Sequence, residues 1–119
     1  MDIRVSGHQV EVGEALRSYA DEQMRGVDSK YRARIVSAQI TFGKGPHDHG
    51  FTCEIVAYAP QGLVLKAEDR AAEAHPAFDS ALEKVAKQIR RSTRRNKDHH
   101  GAPELVDALD GERRGGGGD

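Results

Sequence analysis

"RIVSAQITFGKGPHDHGFTCEIVAYAPQGLVLKAE", Arg34 to Glu68, is the stretch on which the fold turns. Period-two alternation of apolar and polar residues runs through three pieces of it. In "RIVSAQITFG", Val36, Ala38, Ile40 and Phe42 take one side, and Ser37, Gln39 and Thr41 take the other. In "FTCEIVAYA", Phe51, Cys53, Ile55 and Ala57 oppose Thr52, Glu54 and Tyr58. "LVLKAE" reads as a third strand, shorter than the other two. The links are "GKGPHDHG", rich in glycine with one proline, and "PQG", a tight-turn signal. Links this short join strands as antiparallel hairpins.

Upstream, "DIRVSG" alternates with Ile3 and Val5 on one side, and ends at Gly7 as a short half-buried strand. From about Gly13 to Val27, Leu16, Tyr19, Ala20, Met24 and Val27 recur at helical spacing, with Arg17, Asp21, Glu22 and Arg25 between them. A helix between the first two strands lets them pair in parallel. Downstream, "EDRAAEAHPAFDSALEKVAKQIRRSTRRNK" becomes helical, and Pro76 suits a first turn. The expected fold is α+β, in the order β-α-β-β-β-α. Two helices cover one face of a four-stranded mixed sheet. The open face then carries Arg4, Ser37, Gln39, Thr41, Thr52, Glu54, Tyr58 and Lys66.

The chain has 119 residues, which suits a single domain with a modest core. No apolar run approaches the ~18 residues of a membrane span. "MDIRVSGHQV" lacks the basic and apolar regions of a signal peptide. The single cysteine, Cys53, has no internal disulfide partner. These features point to a reducing cytoplasm.

The chain holds 18 Lys and Arg against 19 Asp and Glu, yet the charge is strongly polarised. Residues 1–83 carry 13 acids and 9 bases, and residues 98–119 carry 6 acids and 2 bases. Between them "KVAKQIRRSTRRNK", Lys84 to Lys97, has 7 bases and no acid. On a wheel at ~100° per residue, Phe78, Leu82, Val85 and Ile89 fall within ~40° of one another. Lys87 and Arg94 lie roughly opposite, flanked by Lys84, Arg90, Arg91, Arg95 and Lys97. An ordinary solvated helix face mixes signs to gain i,i+4 pairs. An unmixed face of like charge is relieved by a polyanion. A membrane surface fits poorly, because the apolar side is needed for the core and no Trp is present to insert.

No helix-turn-helix or zinc finger is recognisable, so DNA is not the expected partner. The basic stretch has no interleaved aromatics for base stacking. Phosphate contact to structured RNA, read by shape and backbone, remains. A rival enzyme reading would draw on His47, His49, His99 and His100 as metal ligands. His-x-His in a Gly/Pro loop has little specificity, and no Glu accompanies it in a hydrolase pattern. These histidines read as solvated polar residues, Cys53 as a buried inert thiol, and no metal, cofactor or catalytic set is expected.

The opening "MDIRVSGHQVEVGEALRSYADEQM" and the later "LKAEDRAAEAHPAFDSALEKVAKQIRRSTRRNKDHH" together resemble the ribosome hibernation-promoting factors, also called ribosomal subunit interface proteins or ribosome-associated translation inhibitors. The resemblance covers roughly residues 1–100 and lies in the combined order of elements rather than one sharp motif. It implies the same β-α-β-β-β-α fold and a non-enzymatic, cytoplasmic protein. Such a protein binds the small ribosomal subunit in the mRNA/tRNA channel and reversibly inhibits translation under stress or in stationary phase. It also implies rRNA contacts at Lys84, Lys87, Arg90, Arg91, Arg94, Arg95 and Lys97, with Lys66 a weaker candidate. "GKGPHDHGF" departs from the charged loop common at that place in the family. Long-form members add a dimerising domain after a linker, whereas this chain stops in "GERRGGGGD". Residues 1–100 are therefore expected to form the ribosome-binding domain, with 101–119 a flexible tail or truncated linker. A monomer is expected without a dimerising domain. The alternative is a general structured-RNA-binding or RNA-chaperone module without ribosome specificity.

Overall fold

A computed structural model describes residues 1–98, with side chains through residue 92 apart from Asp48. The elements run β1 (Asp2–His8), α1 (Glu14–Tyr31), β2 (Ser37–Lys44), β3 (Phe51–Tyr58), β4 (Val64–Ala71) and α2 (Ala74–Asp98). Short 3-10 turns, Pro46–Asp48 and Pro60–Gly62, join β2 to β3 and β3 to β4. The sheet order is β1-β2-β3-β4. β1 is parallel to β2, and the other two pairings are antiparallel. The β-α-β-β-β-α expectation therefore holds. Residues 1–89 form one compact unit, and a second begins at Arg90, within α2.

The pleat explains the core. Alternate side chains of a strand leave on opposite faces, so Ala38, Ile40 and Phe42 of β2 align with Cys53, Ile55 and Ala57 of β3 on the buried face. Val5, Leu65 and Ala67 extend that layer to the outer strands. Ala20 and Met24 of α1 and Phe78, Val85 and Ile89 of α2 close over it. The Phe42 and Phe78 rings sit 6.3 Å apart. Phe78 also meets Tyr19 of α1 edge-on at 5.8 Å. The Tyr19 hydroxyl donates to Asp79 Oδ1 at 2.6 Å, tying the two helices together. That bond to a carboxylate raises the Tyr19 pKa from its ordinary value, with lesser help from burial.

Three boundaries differ from the sequence reading. β4 has 8 residues, as many as β2 and β3, rather than being the shortest. Its last residues carry few apolar side chains, but its backbone pairs with β3 as far as Phe51 opposite Ala71. That pairing also delays α2 to Ala74, after the start suggested by "EDRAAEAH". α1 continues past Val27 to Tyr31 and ends where Arg32 turns left-handed at φ 53.

Val36 differs as well, since it does not share the buried face of Ala38 but is 61 % exposed. Arg32 and Arg34 both have positive φ, and the turn they make delivers Ile35 inward instead, at 4 % exposure. Asp28 Oδ1 accepts the Ile35 N–H at 2.8 Å and holds that turn. Gly50, at φ +76, shows why the β2–β3 link needs glycine, since a Cβ there would meet the Ala71 carbonyl oxygen at 2.7 Å.

Candidate nucleic-acid interface

α2 presents three distinct sides. The first is the apolar seam, with Ala77, Phe78, Ala81, Leu82, Val85, Ala86 and Ile89 all buried. Its spacing follows the 3.6-residue period, as the wheel predicted.

The second side is polar and faces β4. Ser80, Lys84 and Gln88 stand four residues apart, so they align along one face of the helix. Ser80 donates its hydroxyl to Asp69 Oδ2. Lys84 Nζ lies 3.4 Å from the same carboxylate oxygen and donates to the Glu68 carbonyl at 3.2 Å. Gln88 makes a two-point contact with the Lys66 backbone. Its Oε1 accepts the Lys66 N–H at 3.1 Å, and its Nε2 donates to the Lys66 carbonyl at 2.7 Å. β4 is an edge strand, whose outward N–H and C=O groups would otherwise need water or another strand. Gln88 supplies the amide that a fifth strand would have supplied. The Asp69 carboxyl is held below its ordinary pKa, first by the Ser80 hydroxyl, then by the Arg70 N–H and Lys84.

The third side faces outward and is cationic. Lys87 and Arg91 are exposed, and Arg90 is half-buried. The helix backbone continues through Arg94, Arg95 and Lys97, whose side chains lie outside the described residues. The structure thus divides the basic residues. Lys84 already has an acid opposite it, Asp69, and braces the sheet edge. Lys87 and Arg91 stand on the side remote from the seam. Lys66 is elsewhere, exposed on the open face of β4 with its Nζ 3.6 Å from Glu54 Oε2.

Sequence reasoning passed over Ser80 and Gln88. Their only signal is the four-residue spacing with Lys84, which looks like any polar face until β4 is placed beside it. Of the rival site, His47 sits in the left-handed region at φ 56, in the turn after β2. His99 and His100 lie outside the described residues. Among the described residues, no three His, Cys, Asp or Glu side chains group as a metal site would. The Cys53 side chain is wholly enclosed, and burial pushes its thiol up to about 12, so it is not a thiolate nucleophile at neutral pH. No helix among the described residues is long and apolar enough to cross a membrane.

A mixed four-stranded sheet under two helices, the second with a cationic outer side, defines the class: a small α+β domain that displays a basic helix. The chain belongs to the family described as Sigma 54 modulation protein / S30EA ribosomal protein, which matches residues 3–97. It is 36 % identical over 100 residues to a protein of Rhizobium meliloti (strain 1021) named ribosome hibernation promotion factor, covering 84 % of this chain and 52 % of that one. A protein of the same name from Bradyrhizobium diazoefficiens is 34 % identical over 98 residues, covering 82 % of this chain and 47 % of that one. The chain thus spans about half the length of the curated relatives it matches.

Two solved structures share the fold. One is the Thermus thermophilus Protein Y N-terminal domain, with TM-score 0.66 and 22 % identity, covering 76 % of this chain and 98 % of that one. The other is a ribosomal subunit interface protein from Coxiella burnetii, with TM-score 0.69 and 18 % identity, covering 78 % and 98 %.

Proposed function

We propose that this chain is a ribosome hibernation factor, which binds the small ribosomal subunit through the outer side of α2 and reversibly blocks translation. The observation that carries the reading is the three-way division of α2. Its seam is consumed by the core and its second side by the β4 edge. The outer side carries the exposed Lys87 and Arg91 in a run of like charge with no acid among its residues, which suits a polyanion. The names borne by relatives above 30 % identity support the ribosome as that polyanion.

The role is binding, not catalysis, and its setting is the cytoplasm under stress or in stationary phase. The RNA contacts are Lys87, Arg90, Arg91, Arg94, Arg95 and Lys97. Lys84 joins them if phosphate competes with Asp69, and Lys66 lies apart on the sheet. Residues 1–100 are the binding domain, and residues 101–119 are not needed for it. The bound position is the channel that mRNA and tRNA use.

Co-sedimentation tests the reading. The protein is expected to travel with small subunits and whole ribosomes, and to be displaced by excess mRNA and initiator tRNA. Simultaneous stoichiometric binding of all three would contradict the channel position. Equal retention on unrelated structured RNAs would favour the alternative, a general RNA-binding module, which the same charged helix would also serve.

A further inference from the structure

The face of the sheet opposite the helices holds a feature that the basic helix lacks, an exposed aromatic. Tyr58 ends β3, a central strand, and is 49 % exposed. It lies directly across from Val64 of β4 and Ser37 of β2. One step further along the same face, the ladder reads Arg4, Gln39, Val56 and Lys66 across the four strands. Gln39 and Lys66 are therefore the diagonal neighbours of Tyr58, a separation that aromatic and long side chains bridge.

We infer that this corner of the open face binds a nucleotide of single-stranded RNA. The base stacks on Tyr58, the Gln39 amide meets its edge, and Lys66 or Arg4 meets the adjoining phosphate. The chemistry is that of sheet-face RNA recognition, in which aromatics of a four-stranded sheet stack unpaired bases and polar neighbours read them. Both cations have carboxylate partners, but loose ones. Arg4 Nε is 3.5 Å from Asp2 and Lys66 Nζ is 3.6 Å from Glu54, with all but the half-buried Glu54 well exposed. Exposed pairs of this kind contribute little, so a phosphate can displace the carboxylate.

A protein partner is the other occupant that exposed Tyr58, Val64, Leu63 and Val36 suggest. Specific protein interfaces engage ~20–30 residues a side and deplete charge at their centre. Here Tyr58 and Val64 share the face with the two cations, and so small an apolar area suits one base and its phosphate better.

The inference deepens the proposed function by adding a base contact to a phosphate contact, and its test separates the two. The probe is a labelled single-stranded A8 RNA, titrated against the full chain by anisotropy across salt. Tyr58→Ala is expected to weaken binding about 5- to 150-fold, the range for loss of one stacked base. Tyr58→Phe, which keeps the ring, is expected to stay near the parent. Because Tyr58 is neutral, neither change should alter the salt slope, whereas Lys66→Gln should lower it by ~0.7, one single-strand phosphate. Gln39→Ala provides a second variant if Tyr58→Ala melts early.

Tyr58-dependent binding of A8 supports the inference even if the chain ignores ribosomes, a result that would remove only the hibernation reading. Unchanged A8 affinity in Tyr58→Ala, or no A8 binding by the parent, overturns it. So does a Tyr58→Ala protein that loses ribosome binding but keeps A8 binding, which would assign the corner to a protein.

Discussion

Gln88→Ala should destabilise the domain although Gln88 belongs to neither the core nor the outer cationic side. The change removes two hydrogen bonds to the Lys66 backbone, at 3.1 and 2.7 Å. Each is worth ~0.5–1.5 kcal/mol net, and water can reach the vacated groups at an exposed edge. Alanine also returns a few tenths of a kcal/mol in helix propensity. The expected loss is about 1–2 kcal/mol, or roughly 4–16 °C in Tm for a domain of this size.

Gln88→Glu sharpens the argument. A carboxylate still accepts the Lys66 N–H but presents oxygen, not a donor, to the Lys66 carbonyl. It should recover less than half of the loss. The assays are thermal melts and urea titrations, with amide exchange at Lys66 as the local probe. That amide should exchange about 5- to 30-fold faster in Gln88→Ala, following the loss of about 1–2 kcal/mol of protection. A Tm within a degree or two of the parent, with unchanged exchange at Lys66, would show that the two-point contact contributes nothing.

Changing Lys87, Arg91 and Arg94 to Gln should flatten the log–log salt dependence of ribosome binding by about 2–3 units with no loss of Tm; an unchanged slope would remove α2 as the RNA surface. Val85→Asp places a charge where the parent side chain is wholly buried, and should unfold the domain at a cost of several kcal/mol in urea titrations. Cys53 should resist a thiol reagent in the folded protein at pH 8 and react on unfolding. Its folded pKa of about 12 exceeds the unfolded value, so its contribution is full below pH ~8.5 and falls by about 1.4 kcal/mol per pH unit above it. Urea midpoints at pH 8, 9 and 10, compared with Cys53→Ala, read that slope. Stopping the chain after His100 should leave small-subunit affinity unchanged or slightly higher, because the removed residues 101–119 carry 5 acids to 2 bases; a large loss would show those residues to be part of the contact.

Much of this protein is local, and what is local is legible in the chain. Alternation in "SAQITF" and "FTCEIVAY" specifies the buried face, because the pleat turns every second side chain the same way whatever lies above it. The link lengths dictate which strands are antiparallel. The seam of α2 follows from helical geometry alone, and so does the placing of Lys87 on its far side. Those readings needed no neighbour.

Where a neighbour decides, the sequence was silent or misleading. Val36 looked like core, but two positive-φ arginines turned Ile35 inward in its place, a choice made by the turn as a whole. β4 looked short because its later residues are polar, yet pairing with β3 extends it, since backbone hydrogen bonds are indifferent to side chains. Lys84 looked like one cation among seven. Only the docking of α2 beside β4 gives it Asp69 and the Glu68 carbonyl, and gives Gln88 the Lys66 backbone. These partners lie 15 to 22 residues apart in the chain and carry no pattern in common. Their pairing is a property of two elements brought together, so tertiary structure alone separates the cation that braces the fold from those that face outward.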